Sequence, residues 1–235
     1  MPATTTPARK RAAAPAPKPT TRRENILLAA EKLFGNRGFD AITLRDIAVE
    51  AEVPIGLISY HFAGREGLLR AIFEHRRHYI EERRATLRAL GDLVHGEESL
   101  PLIVRAFVEP VMRLRAQPDS GYFMRLVARA LSDQTGPMAS VVEEFFDPMA
   151  REFIAAFGRA LPGRTAAQVA WAYDFALGAL LVAMADTRRI ERLSDGRCRP
   201  GDTETTTPLL VDFIVGGLRN IAPRAAGRKL DRGRR

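Results

Sequence analysis

The segment TLRDIAVEAEVPIGLISYHFAGR, residues 43–65, decides the fold of this chain. Its first half has the apolar spacing of a short helix, with Thr43 as N-cap and Asp46 three residues on as a capping-box partner. A turn at Glu52 precedes Pro54, which opens a second short helix ending in the letters SYHF. Two short helices joined by a tight turn predict a helix-turn-helix, whose second helix enters the major groove of DNA.

The rest of the chain is also predicted to be helical. A helix from about Arg22 to Asn36 precedes the motif, with Gly38 just past its end, and a long helix from about Arg65 to Ala89 follows it. Pro110 and Pro148 are expected to kink or divide two later helices. The fold class is therefore all-α, with about nine helices that form a three-helix DNA-binding head and a larger helical body. The later predicted helices are 99–117, 120–132, 137–160, 165–190 and 206–221.

Four regions are predicted: a disordered basic tail, 1–21; a helix-turn-helix domain, 22–68; a helical effector-binding and dimerisation domain, 69–222; and a disordered basic tail, 223–235. The net charge of +8 is concentrated at the two ends. Residues 1–23 and 219–235 carry +6 each, so residues 24–218 carry −4. A basic arm beside a DNA-binding domain can add phosphate contacts or enter the minor groove. A solvated tail without fixed contacts is the alternative.

Composition excludes several classes of protein. One Cys in 235 residues excludes a disulfide framework and fits a reducing cytoplasm. The N-terminus lacks the charged start and apolar core of a secretory signal. The most apolar run, Ala166 to Ala185, is interrupted by Gln168 and Asp174, so a buried bundle helix explains it better than a membrane span. We expect a bacterial cytoplasmic protein, associated with the nucleoid when it binds DNA.

Over about residues 22–70 the chain resembles the TetR family of bacterial transcriptional regulators. The resemblance lies in the order of four segments: the predicted first helix, TLRDIAVEAEVP, IGLISYHF and AGREGLL. The resemblance implies a homodimer that binds a double-stranded DNA operator and needs no cofactor. It also implies a repressor that a small hydrophobic effector releases from DNA. The resemblance assigns DNA binding to Thr43, Arg45, Ile55, Gly56, Leu57, Ser59, Tyr60, His61 and Arg65.

Within that set, Thr43, Tyr60, His61 and Arg65 are expected to contact phosphates. The sequence departs from the family at Glu52, which stands where a glycine is usual, so we expect a strained turn. Ile55 and Leu57 are apolar where many members carry Lys and Thr, and apolar groups cannot read hydrogen-bond patterns. Arg45, Ser59, DNA shape and the N-terminal arm are then expected to supply specificity.

In the body, the resemblance implies an effector pocket and a dimer interface. The effector is expected to be a fatty acid, an acyl-CoA or an aromatic compound, and its anionic group can pair with Arg125, Arg129 or Arg151. Ordinary core packing is the alternative for each apolar position. The candidate pocket residues are Phe107, Met112, Phe123, Met124, Val127, Phe145, Phe146, Met149, Phe153, Trp171 and Phe175. The candidate interface residues are Ala172, Ala176, Ala179, Ala183, Leu209, Leu210, Phe213, Ile214 and Gly217.

Two other functions remain open. An effector-independent DNA-associated protein would have the same head and a sealed body core. An all-helical enzyme finds no support, because the sequence has no metal-spaced His/Cys set, no nucleophile elbow and no glycine-rich phosphate loop. We therefore expect neither catalysis nor a bound metal.

Overall fold

The computed structural model describes residues 21–117, 120–133, 135–185 and 188–221. Every regular element within these ranges is helical, which confirms the all-α fold class. The two predicted tails lie outside the described residues, apart from Thr21, which caps the first helix.

The head contains α1 (Arg22–Arg37), α2 (Leu44–Glu50), α3 (Ile55–His61) and the start of α4 (Gly64–His75). The body helices are α5 (Arg77–Ala89), α6 (Leu100–Arg115), α7 (Gly121–Ser132), α8 (Gly136–Val141), α9 (Asp147–Ala160), α10 (Ala166–Ala185), α11 (Arg189–Leu193) and α12 (Thr203–Arg219). Short 3-10 turns occupy Gly91–Leu93 and Glu97–Ser99, and a π-turn occupies Val142–Phe146.

The described ranges thus hold twelve α-helices, close to the nine expected, and three local events account for the surplus. The expected continuous helix from Arg65 to Ala89 is wrong, because the backbone breaks at Arg76 (φ −94°, ψ 7°). The π-turn divides α8 from α9 just before Pro148, which has no N–H to continue a regular ladder. The third extra helix is the short α11.

Local hydrogen bonds set the limits of α1. Thr21 and Glu24 form a capping box, in which the N–H of each residue donates to the side chain of the other (2.7 and 3.2 Å). At the other end, Gly38 has φ +88° and its N–H donates to the carbonyl of Phe34 (2.9 Å). The predicted glycine past the helix end is confirmed, since a positive φ is strained for residues with a Cβ.

Head and body share one continuous hydrophobic core among the described residues. α1 packs against both α4 and α7, and α6 packs against α5, α9 and α12. The contact between α1 and α7 is close: a Cβ added at Gly35 would lie 2.3 Å from the carbonyl oxygen of Tyr122. Because glycine alone permits this approach, the head is held directly against the body.

Candidate nucleic-acid interface and body core

The cap of α2 is closed by Thr43 and Asp46. The N–H of Asp46 donates to the Thr43 hydroxyl (3.2 Å), and the Thr43 hydroxyl and N–H donate to Asp46 Oδ2 (2.6 and 2.8 Å). The hydroxyl bond and then the N–H bond hold the pKa of the Asp46 carboxyl below its usual range. The predicted capping box is confirmed. The Thr43 hydroxyl donates to Asp46 here, so its predicted contact with a phosphate stays a prediction that requires this bond to be exchanged.

The turn between α2 and α3 is strained at the expected residue. Glu52 has φ +54°, and the N–H of Val53 donates to the carbonyl of Ala48 (3.0 Å). Glu52 therefore occupies the left-handed position of a Schellman motif, where glycine is favoured. This confirms the strain that the sequence predicts.

The outer face of α3 carries four of the predicted contact residues. Ile55, Gly56, Ser59 and Tyr60 are exposed, and Tyr60 is 82% exposed. A Cβ added at Gly56 would have no neighbour within 4 Å, so the backbone there is open to close approach. Leu57 was also expected on this face, but its side chain is half-buried and packs against the core. We correct that assignment: Leu57 contributes to the core of the head and is not part of the exposed outer face.

Arg65 makes contacts within the head that the sequence does not suggest. Its half-buried Nη1 lies 2.7 Å from the carbonyl oxygen of Ile42 and 3.4 Å from those of Phe39 and Asp40. Its guanidinium also lies over the Phe39 ring, 4.8 Å from the centroid. Since these partners belong to the loop before α2, Arg65 fastens the helix-turn-helix in place. Arg65 therefore has a structural role through Nη1, and its phosphate contact stays a prediction for the rest of the guanidinium.

The remaining polar groups of the interface lie at its two ends. Arg45 is exposed in the first turn of α2, and half-buried His61 ends α3 with its ring centroid 5.1 Å from that of Tyr60. Arg23, at the start of α1, lies over the Phe62 ring at 5.3 Å. From Thr43 to Phe62 the only Lys or Arg is Arg45, against three acids. The positive charge needed for phosphates must therefore come largely from outside this segment.

Nine of the candidate pocket residues form the packed core of the body. The ring centroids of Phe107 and Phe153 are 5.0 Å apart, and the rings of Phe123, Phe145 and Phe146 each lie 5.6 to 6.1 Å from that of Phe73, another buried residue. They contribute to the buried core that joins the helices of the body. The nine buried residues are Phe107, Met112, Phe123, Met124, Val127, Phe145, Phe146, Met149 and Phe153.

The other two candidate pocket residues are on the outside. Trp171 and Phe175 are 60% and 63% exposed, and their rings stack with centroids 5.6 Å apart. The predicted small-residue interface, by contrast, is partly internal: Ala172 and Ala176 are buried, and Ala179 and Ala183 are half-buried. Adjacent positions on a helix differ by about 100°, so α10 presents Ala172 and Ala176 inward and Trp171 and Phe175 outward. Trp171 and Phe175 therefore do not line an internal pocket, and Ala172 and Ala176 are not on the surface of the protomer.

A similar division occurs on α12. Ile214 is buried and Leu210 is half-buried against the core, so both predicted interface residues pack within the chain. Leu209, Phe213 and Gly217 are exposed as predicted. We call the exposed apolar residues of the two helices, Trp171, Phe175, Val182, Leu209 and Phe213, the outer apolar face. A groove of about 150 Å³ between α10 and α12 lies beside Phe175 and Phe213.

Helix α10 is the one described helix long and apolar enough to cross a membrane, by length and composition alone. The sequence predicted a buried bundle helix, but only 28% of its most apolar window is buried. The helix packs against α6, α7, α9 and α12 on one side. The prediction is therefore correct for the inner side and wrong for the outer side, which belongs to the outer apolar face.

The structure reveals a buried cation that the sequence analysis missed. Arg83 on α5 is 3% exposed, and its guanidinium lies 4.8 Å from the Phe107 ring centroid and 5.6 Å from that of Phe153. Its Nη1 donates to the Tyr79 hydroxyl at 3.3 Å, whereas Nε and Nη2 have no hydrogen-bond partner among the described residues. Its spacing from Tyr79 and Leu87, four residues to either side on the buried stripe of α5, is the signal that identifies it.

The arginines proposed from the sequence lie elsewhere. Arg125 donates to the Asn36 side chain (2.8 Å) and lies over the Tyr122 ring. Arg129 is exposed, and Arg151 is exposed with Nη2 3.3 Å from Asp147. None of the three reaches the aromatic core around Arg83.

A large cleft of about 1040 Å³ lies between α10, α11 and α12. Its wall is apolar at Ala179, Val182 and Leu209, and its rim is basic. The arginines that line it are Arg115, Arg188, Arg189, Arg197 and Arg199. The cleft is a second place where an anionic molecule can meet positive charge.

The joint between head and body contains a buried ion pair. Arg76, at the break between α4 and α5, donates from Nε and Nη2 to the two carboxylate oxygens of Glu31 on α1 (2.9 and 2.8 Å). Glu31 is buried, and the Arg76 guanidinium lies 5.5 Å from the Phe123 ring centroid on α7. One side-chain cluster thus connects α1, the α4–α5 joint and α7. Across the described ranges, no group of three His, Cys, Asp or Glu side chains is arranged to hold a metal ion.

Two domain families match the chain. The family described as bacterial regulatory proteins of the tetR family matches residues 26–72, and a tetracyclin repressor-like C-terminal domain matches residues 105–217. An HTH-type transcriptional repressor of Mycobacterium tuberculosis is 35% identical over 91 residues, which span 37% of this chain and 43% of the relative. The curated relatives are thus matched over less than half of their length.

Solved structures share the fold over most of both chains. The transcriptional regulator FadR from Bacillus subtilis, solved in complex with stearoyl-CoA, is 15% identical, with a TM-score of 0.58 over 83% of this chain and 98% of that one. The ketosteroid transcriptional regulator KstR2 of Mycobacterium tuberculosis is 19% identical, with a TM-score of 0.58 over 85% of this chain and 96% of that one. Both matched domains are those of regulators, which confirms the prediction that this chain is not an enzyme.

Proposed function

We propose that this chain, which belongs to the TetR family of bacterial regulatory proteins, is a cytoplasmic repressor that binds an operator as a homodimer. A small hydrophobic effector bound in the body would release it from DNA. The observation that carries the proposal is the exposed outer face of α3. The cap of α2 and the bond from Arg65 to the loop before α2 hold that helix-turn-helix together. Regions 22–68 and 69–222 would act as the DNA-binding and effector domains.

The proposed DNA contacts follow from exposure. Ile55, Gly56 and Ser59 would meet base edges, while Arg45, Tyr60 and His61 would meet phosphates at the two ends of the interface. Thr43 and Arg65 would support these contacts through the cap and the turn. Because the segment itself is acidic, we propose that basic residues 1–23 supply further phosphate contacts.

The proposed dimer uses the outer apolar face. Trp171, Phe175 and Val182 on α10 continue into Leu209 and Phe213 on α12, and all five are exposed. A large apolar surface on a water-soluble domain marks an interaction site. A second copy of this chain is its natural occupant, because two symmetric heads read two operator half-sites where one head contacts too few base pairs.

The effector would act through the joint at Arg76. The ion pair with Glu31 and the contact of α1 with α7 connect head and body rigidly. An effector that binds one arrangement of α4 and α5 better than another would shift the population toward heads that no longer fit successive major grooves. A regulator of this fold has been solved with stearoyl-CoA, so the fold is compatible with a fatty acid or acyl-CoA effector as well as with an aromatic one.

DNA binding is tested with DNA enriched from a random pool by the full-length chain, followed by anisotropy titrations at several salt concentrations. Arg45→Ala should lower the slope of log affinity against log salt by about one unit. Arg159→Ala removes the same charge from an exposed position on α9 and should leave the slope unchanged. Equal effects of the two changes, or no enriched sequence, would contradict the proposed interface.

The dimer is tested by sedimentation of Phe213→Asp. Phe213 is 69% exposed, so the change places a charge on the outer apolar face without entering the protomer core. We expect a monomer with an unchanged helical spectrum. Leu193→Asp is the matched control, since Leu193 is 61% exposed on α11 and lies outside that face. A Phe213→Asp protein that remains dimeric would rule out this face as the interface.

A further inference from the structure

Arg83 is a charged side chain enclosed in the body without a matching anion. It is 3% exposed, and Nε and Nη2 donate to nothing in the described structure. The faces of Phe107, Phe153 and Tyr79 partly stabilise the positive charge, with ring centroids 4.8 to 5.8 Å from the guanidinium carbon. Rings do not satisfy N–H donors, and a buried cation without an anion is destabilising.

The nearby carboxylates are engaged by other arginines. Glu152 accepts from Arg84 (2.7 Å) and Arg88 (2.6 Å), and Glu82 accepts from Arg113 (2.7 Å). The nearby Tyr173 hydroxyl does not supply a negative charge, because burial raises the pKa of Tyr173 to about 12. Among the described residues, no carboxylate accepts a hydrogen bond from Arg83.

The free donors have the geometry of a specific partner. Nη1 is used by the Tyr79 hydroxyl, which leaves Nε and Nη2, the two donors on one edge of the guanidinium. Two parallel N–H bonds on one edge fit the two oxygens of a carboxylate. The surroundings are apolar and aromatic, so the rest of the partner must be apolar.

We propose that Arg83 binds the carboxylate of an amphipathic effector through Nε and Nη2, with the apolar part of that effector lying between α5, α6, α9 and α10. The inference rests on the proposed regulatory function and names the effector class for it. A free fatty acid and an aromatic carboxylic acid both supply this chemistry, whereas the acyl group of an acyl-CoA is a thioester without a carboxylate.

The position of Arg83 also explains how binding would reach the head. The space around the guanidinium is filled by side chains from α6 and α9, so an effector tail must separate α5 from these helices. α5 begins directly after Arg76, the residue that pairs with Glu31 of α1. A displacement of α5 is therefore transmitted to the joint that holds the head.

The experiment uses the full-length chain with dodecanoate, its methyl ester, 4-phenylbutyrate and dodecanoyl-CoA, measured by calorimetry and thermal shift. We expect dodecanoate or 4-phenylbutyrate to bind the wild type, and which of the two binds identifies the source of the carboxylate. For dodecanoate, the acid should bind at least about tenfold more tightly than the ester, because the ester cannot form a charged hydrogen-bond pair. In Arg83→Met that preference should disappear.

The unliganded variants give a second, ligand-free readout. Arg83→Met should unfold at the same or a higher temperature than the wild type, because it removes an unpaired buried charge and keeps the apolar volume. Arg84→Met is the matched control on the next residue: it breaks the contacts of Arg84 with Glu152 and should unfold at a lower temperature while keeping the acid preference. Arg199→Met tests the basic cleft in the same way.

The outcomes separate the two proposals. Binding of neither carboxylate, an acid preference that survives in Arg83→Met, or a loss of that preference in Arg199→Met instead would overturn the Arg83 site. Tight binding of dodecanoyl-CoA with no binding of either acid would also overturn it. Carboxylate binding at Arg83 that leaves the affinity for the enriched DNA unchanged would support the site and contradict the proposed release from DNA.

Discussion

The head and the body each contain an arginine whose guanidinium packs inside the protein, and the two differ in their hydrogen-bond partners. Arg65 in the head lies beside three backbone carbonyls, which accept from its Nη1, and over one aromatic ring. Arg83 in the body lies among aromatic rings and has two donors unused. Arg65 uses one donor nitrogen to fasten the loop before α2, whereas Arg83 has two buried donors without a partner among the described residues and is available for a ligand. Position in a motif does not distinguish these roles, but hydrogen-bond partners do.

The comparison assumes that an unpaired buried guanidinium is costly, and Glu31→Ala tests this most strongly. The change removes the carboxylate that accepts from Nε and Nη2 of Arg76, so the half-buried Arg76 loses the partner of the same two donors that are unpaired in Arg83. We expect a loss of about 3 kcal/mol in the free energy of unfolding, measured by urea denaturation. Glu74→Ala breaks the exposed pair with Arg77 and should cost less than about 1 kcal/mol.

The double variant Glu31→Met with Arg76→Met should recover most of the lost stability, because both charges leave the buried site together. If Glu31→Ala were as stable as Glu74→Ala, unpaired arginines would be tolerated in this core. The case for a ligand at Arg83 would then lose its energetic basis.

A smaller loss of stability is expected when Arg65 is replaced. This change tests whether Arg65 supports the fold of the head or binds a DNA phosphate. Arg65→Lys keeps the charge but loses the planar guanidinium that lies beside the carbonyls and over Phe39. We expect about 2 kcal/mol less stability to urea, since hydrogen bonds made by charged groups are of this size. The salt dependence of DNA binding should stay that of the wild type. A stable Arg65→Ala protein with a salt slope lower by one unit would restore the phosphate role.

The sequence was most informative where short-range hydrogen bonding decides the structure. The Thr43 cap, the start of the second motif helix at Pro54 and the strained turn at Glu52 were all predicted, because each depends on residues within one helical turn. The exposure of Ser59 and Tyr60 follows from the same local periodicity. The structural contacts of Arg65 were not predicted, because its carbonyl partners are 23 to 26 residues earlier in the chain, a distance that a pattern does not reveal.

In the body the helices were located, but their orientation was not. α10 is apolar on nearly every side, so no periodicity distinguished the inward alanines from the outward Trp171 and Phe175. The break at Arg76 has no proline or glycine to signal it and coincides with the long-range pair to Glu31. Arg83 stands in a run of charged residues, where only its spacing from Tyr79 and Leu87 shows that it points inward.

The smallest expected effect has the opposite sign and concerns Glu52. A residue with a Cβ at φ +54° is strained, so Glu52→Gly should stabilise the protein by about 1 kcal/mol, or roughly 2–4 °C in Tm. Glu52→Ala separates strain from charge: it keeps the strained backbone but removes an acid beside the start of α3. Both variants should bind DNA more tightly than the wild type, since each removes one negative charge near the phosphates. Only the glycine variant should gain stability. If the alanine variant gained as much stability, repulsion of the Glu52 carboxylate rather than backbone strain would destabilise this turn. The head would then contain an unfavourable charge that, unlike Arg83, is not placed to be neutralised by a ligand in the body.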